Sequence, residues 1–183
     1  MSQIDQLLEN FTREINKPWS RNVAGRQRVI FAVYPPAEER RLRLKFAEFE
    51  MATSDSGHRW AALDLTETFA DWMSKHARKA DYFANPEYMT NKRFEKWLAE
   101  KVISFLSDAS AADGVAVIHG LCGLFGFMHT STLIEAVEEH IHGRLLVFFP
   151  GEHEQNTYRF MNARTGWNYM AVPITCAEDA LGL

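Results

Sequence analysis

Two cysteines, Cys122 and Cys176, are all that 183 residues contain, too few for a disulfide framework or a four-cysteine zinc site. They read as buried free thiols of a reducing compartment, the cytoplasm. No apolar run approaches the roughly 18 residues of a membrane span. The opening Met1-Ser2-Gln3-Ile4-Asp5 has no basic stretch followed by an apolar one, so neither membrane insertion nor secretion is expected. Positive charge is not in excess either: 20 Lys and Arg stand against 24 Asp and Glu, a net charge of -4. That balance offers no general attraction to nucleic acid or anionic lipid. What is present is a globular composition, 46% hydrophobic, 13% aromatic and 24% charged, which excludes disorder as the main state. A chain of this length buries about 70% of its unfolded surface and reads as one domain over residues 1–183, without repeats or linkers.

Periodicity then divides the chain. Ile4, Leu7, Leu8, Phe11 and Ile15 recur on one helical face behind Ser2, a candidate cap, and before Pro18, which predicts a docking helix over residues 2–16. The continuous run Val29 to Tyr34 predicts a strand covered on both sides. Pro35-Pro36 ends it and opens a helix with Leu42, Phe46 and Phe49 inside. Further strands are expected at residues 60–65, 115–118, 145–149 and 169–172. Helices are expected after Thr66, over the stripe Phe94 to Leu106, and after Thr132, where Glu135 completes a capping box and Gly143 lies past the end. Residues 76–91 read as a polar excursion or helical corner, Pro150-Gly151 as the end of the fourth strand, and residues 152–168 as a long loop or short hairpin. Pro173 suggests that the last strand lies at an edge. The alternation predicts a three-layer α/β/α sandwich with a mostly parallel sheet of about five strands, of P-loop/Rossmann-like topology without a Walker A motif.

Ligands of such sheets bind beyond the carboxyl ends of the strands. After the first strand, Tyr34-Pro35-Pro36-Ala37-Glu38 has neither the glycines nor the lysine of a P-loop. The glycine loop from Gly120 through Gly123 to Gly126 has three readings: a tight turn burying Leu124 and Phe125, a cradle of backbone amides for an anion, or an apolar surface for a partner. Cys122 with His119 or His129 is the one thiol and imidazole combination close in sequence, and free cysteine needs no catalytic explanation. Asp64 stands where a metal-binding carboxylate would sit, with capping of the next helix together with Glu67 as the plainer account. His140, His142, Glu152, His153 and Glu154 have ligand types without ligand spacing. No catalytic set, metal site or cofactor is therefore expected. The aromatics Phe125, Phe127, Tyr158, Phe160, Trp167 and Tyr169, with Arg159 and Arg164, form a candidate partner surface or part of the core. Arg40, Arg41 and Arg43 would serve a DNA-binding accessory, for which the acidic net charge is unfavourable.

Several segments together resemble the BrxB family of type 1 bacteriophage exclusion (BREX) systems. They are the opening residues with Pro18-Trp19, RVIFAVYPPAEERRL from Arg28, WAALDLTETFADWM from Trp60, HGLCGLFGFMHTSTLIEAV from His119 and GRLLVFFPGEHEQNTYRFMNARTGWNYMAVPIT from Gly143. Cys122 stands where the family more often has serine. The resemblance implies a small cytoplasmic component of a defence system that also contains an adenine methyltransferase, a large ATPase and PglZ. It implies no catalytic residues. The expected role is an adaptor or regulator that binds another component, PglZ first, with direct DNA binding not expected.

Overall fold

The apolar run at residues 29–34 forms β1 (Val29–Tyr34), buried at every position, in a computed structural model that describes residues 1–20, 22–88, 92–109 and 112–177. Its side chains alternate between two cores. Phe31 and Val33 enter one, and Ile30, Ala32 and Tyr34 enter the other. Around it stand β2 (Arg59–Asp64), β3 (Gly114–His119), β4 (Arg144–Glu154) and β7 (Val172–Ile174), in the order β2-β3-β4-β1-β7, all parallel. Two short strands, β5 (Thr157–Phe160) and β6 (Trp167–Asn168), add antiparallel pairs to the far end of β4.

One face carries α1 (Gln3–Ile15) and α2 (Glu39–Asp55), the latter reached through a 3-10 turn at Pro36–Glu38. Ile4, Leu7, Phe11, Leu42 and Phe49 pack here on Ile30, Leu146 and Phe148. The Ser2 hydroxyl accepts from the Asp5 amide at 3.2 Å while the Ser2 amide donates to the Asp5 carboxylate at 3.0 Å, a complete capping box. Buried Asn10 donates from Nδ2 to the carbonyls of Thr175 and Ala177, fastening the segment after β7 to α1. Trp19 stacks on His58 at 3.7 Å and lies under Arg144.

The other face carries α3 (Thr68–Lys75), the helical corner α4 (Lys79–Ala84) with a 3-10 turn at Pro86–Tyr88, α5 (Lys92–Ala109) and α6 (Thr130–Val137). Phe94, Leu98, Val102 and Leu106 of α5 sit beside Leu133, Ile134 and Val137 of α6. The three-layer α/β/α sandwich is thus built as its alternation predicts. Because α2 covers one face and the segments after β2, β3 and β4 cover the other, the winding switches between β1 and β4, where such sheets leave a crevice.

Four local expectations change. β4 runs through Pro150-Gly151 instead of stopping there: Tyr34 is the last residue of β1 opposite Pro150, and Gly151 already pairs with Phe160. Proline thus falls where β4 exchanges one partner strand for another, and needs no amide for either ladder. α6 begins at Thr130 with His129 at the cap, not at Thr132, and ends at Val137 before a 3-10 turn, well short of Gly143. Glu135 is drawn instead to the Trp167 indole, at 3.2 Å. Thr66 does not cap α3; its amide and hydroxyl close an Asx turn on Asp64, and Glu67 takes the cap position. The last strand lies at residues 172–174 and contains Pro173 at the sheet edge beside β1.

Candidate functional site

The carboxyl ends of β1, β2 and β3 bring Tyr34, Asp64 and His119 to one rim of the sheet, and the glycine loop leaves from there. Gly120 has φ +77°, and a Cβ on it would stand 2.4 Å from Asp64 Oδ1. A Cβ on Gly123 would come within 2.2 Å of the Thr66 carbonyl oxygen. Both glycines therefore exist to let the loop press against the β2–α3 connection. The amides of Gly123, Phe125, Phe127 and Met128 donate to carbonyls of the same loop, which removes them from any anion cradle. The turn buries Leu121 and Leu124 but leaves Phe125 61% exposed. Gly126, at φ +81° with open space around it, sends Phe125 and Phe127 in different directions.

The β4–β5 hairpin supplies the opposing wall. Gln155 and Asn156 both take left-handed backbone in its turn, as a tight hairpin requires. At the other end of β5, Met161 is also left-handed, and its amide donates to the Pro150 carbonyl at 2.8 Å. Phe160 is thereby set over Phe125, ring centres 6.3 Å apart and 25° from parallel. Between loop and hairpin lies a pocket of about 450 Å³ lined by Phe125, Phe127, Met128, His129 and Phe160, with Glu95 at its rim. Phe127 is backed by Phe69, stacked at 3.5 Å. A second pocket of about 430 Å³ shares His129, Thr130, Phe160 and Ala163 with the first and continues toward Tyr158 and Trp167. Together they form one trough.

The residues singled out from sequence divide around it. Phe125, Phe127 and Trp167 line the trough, and Gly126 joins them. Tyr158 is 1% exposed and contributes a buried wall, with its ring against Phe31 and Phe149, so it is no exposed anchor. Tyr169 is likewise buried; its hydroxyl donates to Glu138, which also holds Arg26 at 3.0 Å. Arg159 is paired with Glu152 and Glu154, while Arg164 is exposed between two residues of the trough, Ala163 and Thr165. Met128, Ala163 and Glu95 escaped the sequence reading. The signal for the first was the Phe-Gly-Phe-Met spacing itself, whereas Glu95 arrives from α5 across 30 residues of chain.

A polar cluster occupies the neighbouring part of the rim. Arg43 pairs with Glu39 at 2.8 Å and Asp64 at 3.8 Å, and its Nη2 donates to the Thr66 hydroxyl at 2.8 Å. His119 Nδ1 is 3.5 Å from Asp64 Oδ1, yet burial lowers the histidine pKa and keeps the ring neutral at pH 7. A pocket of about 320 Å³ opens between Arg43, Thr66, Lys101 and the acidic side chains of Asp64, Glu67 and Asp71. Cys122 is exposed and Cys176 half-buried, where two buried thiols were expected. Partial burial and the nearby Glu39 charge push the Cys122 thiol upward, the wrong direction for a nucleophile. Its sulfur rests 3.7 Å from that of Met161. Arg41 is paired with Glu38, so two of the three arginines considered for DNA already hold carboxylates. Among the described residues, no cluster of His, Cys, Asp and Glu is arranged to hold a metal ion, and no helix is long and apolar enough to cross a membrane.

No family model, curated protein or solved structure matches this chain.

Proposed function

We propose that this chain is a non-catalytic adaptor or regulatory component of a BREX defence system in the bacterial cytoplasm. It docks a segment of another component, PglZ, in the trough between the glycine loop and the β4–β5 hairpin. The partner's identity rests on the resemblance of the sequence to the BrxB family. The observation that carries a docking role is Phe125: a phenylalanine 61% exposed at the mouth of an apolar pocket, with Phe127, Met128 and Phe160 behind it. Exposed aromatic side chains beside a concave apolar surface are the usual anchors of protein interfaces. Arg164 on the rim adds a charged contact.

Co-expression with PglZ from the same defence cluster, followed by size-exclusion chromatography with mass determination, tests this. Co-elution is expected for the wild type and its loss for Phe125→Ala. Separate elution of the wild-type proteins at micromolar concentration overturns the PglZ assignment, and the methyltransferase and the large ATPase are then tried in the same format. A second reading, a nucleotide or small-molecule site, draws on the pocket on the strand-end rim, where Arg43 and Lys101 stand with Thr66 and the carboxylates Asp64, Glu67 and Asp71. It predicts a rise in melting temperature in a nucleotide screen, and an unchanged melting temperature across the screen removes it.

A further inference from the structure

Helix α2 buries Leu42, Phe49 and Thr53 on its inner side. Its outer ridge is not polar. Leu44 is 79% exposed and Met51 64%, and Ala47 between them is exposed as well. Apolar side chains scattered singly over a surface are ordinary. These are aligned: the ridge runs Arg40, Leu44, Ala47, Met51 and Asp55, in steps of three or four residues, and every one of the five is exposed. That spacing is the narrow seam by which one helix packs on another, and α2 already covers the sheet with its other side.

Charge along α2 is sorted by end. Residues 39–47 hold Arg40, Arg41, Arg43 and Lys45 against Glu39, whereas residues 48–55 hold Glu48, Glu50 and Asp55 and no cation. This opposes the helix's own dipole, which favours acids in the first turn and bases in the last. Pairs within the chain use part of it: Arg41 with Glu38, Arg43 with Glu39 and Lys45 with Glu48. Among the described residues, Arg40, Glu50 and Asp55 have no ion pair. A helix that is basic in its first half and acidic in its second is complementary to an antiparallel copy of itself. A parallel copy would set like charges side by side.

We propose that the outer ridge of α2 pairs with the same ridge of a second copy of this chain, antiparallel about a two-fold axis near Ala47. Leu44 of each copy then packs on Met51 of the other, the small Ala47 side chains let the helices approach, and Arg40 of each reaches Asp55 of the other. A single helix pair buries less area than a stable dimer needs, so the association is weak and appears at high concentration. The trough lies with α5 and α6 on the other face of the sheet and stays open in the pair. The pairing therefore holds whether or not the adaptor reading does.

Sedimentation velocity of the full chain, from micromolar concentration to about 1 mM, tests this. Dimer should appear as concentration rises. Leu44→Asp, at an exposed position that leaves no gap in the core, should weaken association about tenfold or more with an unchanged circular dichroism spectrum. Arg40→Glu and Asp55→Arg should each weaken it alone, because each sets like charges against one another across the axis. Mixed in equal amounts, these two variants should associate again, since every substituted side chain then meets an opposite charge on the other chain. No recovery on mixing overturns the antiparallel pairing. A chain that stays monomeric at about 1 mM overturns it too, as does association that survives Leu44→Asp and is lost in Phe125→Ala, which would place the contact in the trough. If the chain alone is monomeric and Leu44→Asp abolishes co-elution with PglZ, the ridge belongs to PglZ and the pairing is overturned.

Discussion

On the α1–α2 face the large side chains directed at the sheet are closed in. Phe11, Phe49 and Phe148 meet with centres 5.3 and 5.0 Å apart, α1 is capped, and Asn10 satisfies two backbone carbonyls. The opposite face has an equally dense interior around Phe94, Leu98 and Ile134, but its rim leaves Phe125 61% exposed at an apolar pocket. Among the described residues, left-handed backbone at residues other than glycine, Gln155, Asn156 and Met161, is confined to the hairpin on this side. The contrast separates a face closed by its own packing from a rim where an aromatic side chain stands exposed beside an apolar trough.

The sharpest break in that comparison is expected from Phe49→Ala. The ring is fully buried between Phe11 and Phe148, so truncation should cost about 3–5 kcal/mol in urea or thermal unfolding. A loss below 1 kcal/mol would mean that this face is not the stabilising one. Gly123→Ala comes next, because its methyl would meet the Thr66 carbonyl and one backbone segment must move. About 1–3 kcal/mol of destabilisation is expected, measured in the same way. Phe125→Ala and Arg164→Glu should change stability by no more than about 0.5 kcal/mol while weakening partner binding in calorimetry. Unchanged affinity would take the altered residue out of the interface.

The smallest effect concerns the cap of α1. Donors from Ser2, the hydroxyl first and then the amide, with Lys45 behind them, hold the Asp5 carboxyl down at about 2 from an ordinary 3.8. A carboxyl whose folded pKa lies below its unfolded one contributes stability that is present above the unfolded value, and that contribution disappears as pH falls through the folded one. Ser2→Ala should raise the Asp5 midpoint toward 3.8 in a carbon-detected titration, with a cap loss of about 1 kcal/mol at neutral pH. An unmoved midpoint would show that the residue 2 amide and Lys45, 3.2 Å away, set the carboxyl without the hydroxyl.

The elements that were legible in the sequence were those whose period is local. β1 matches its apolar run residue for residue, α1 falls within one residue of its predicted span, and the stripe from Phe94 to Leu106 lies inward along α5. The errors fall where a distant partner decides. Pro150 ends a strand by every local rule, yet β1 stops opposite it and β5 takes over the pairing. Thr132 and Glu135 have the spacing of a capping box, but Glu135 is drawn away by Trp167, 32 residues later.

The candidate site divides in the same way. Its aromatic residues and glycines could be named from the chain, because aromatics and left-handed turns leave compositional marks. Which of them face outward could not, since Leu124 and Phe125 are neighbours of like polarity, and the backbone turn at Gly126 and the arrival of Phe160 set one in the core and the other at the surface. By itself the sequence determined the α/β alternation and the two apolar faces, because hydrophobic periodicity is a property of consecutive residues. The tertiary structure alone decided the trough and the exposure of Phe125 at its mouth. Each of these depends on what long-range packing places, or fails to place, beside a group.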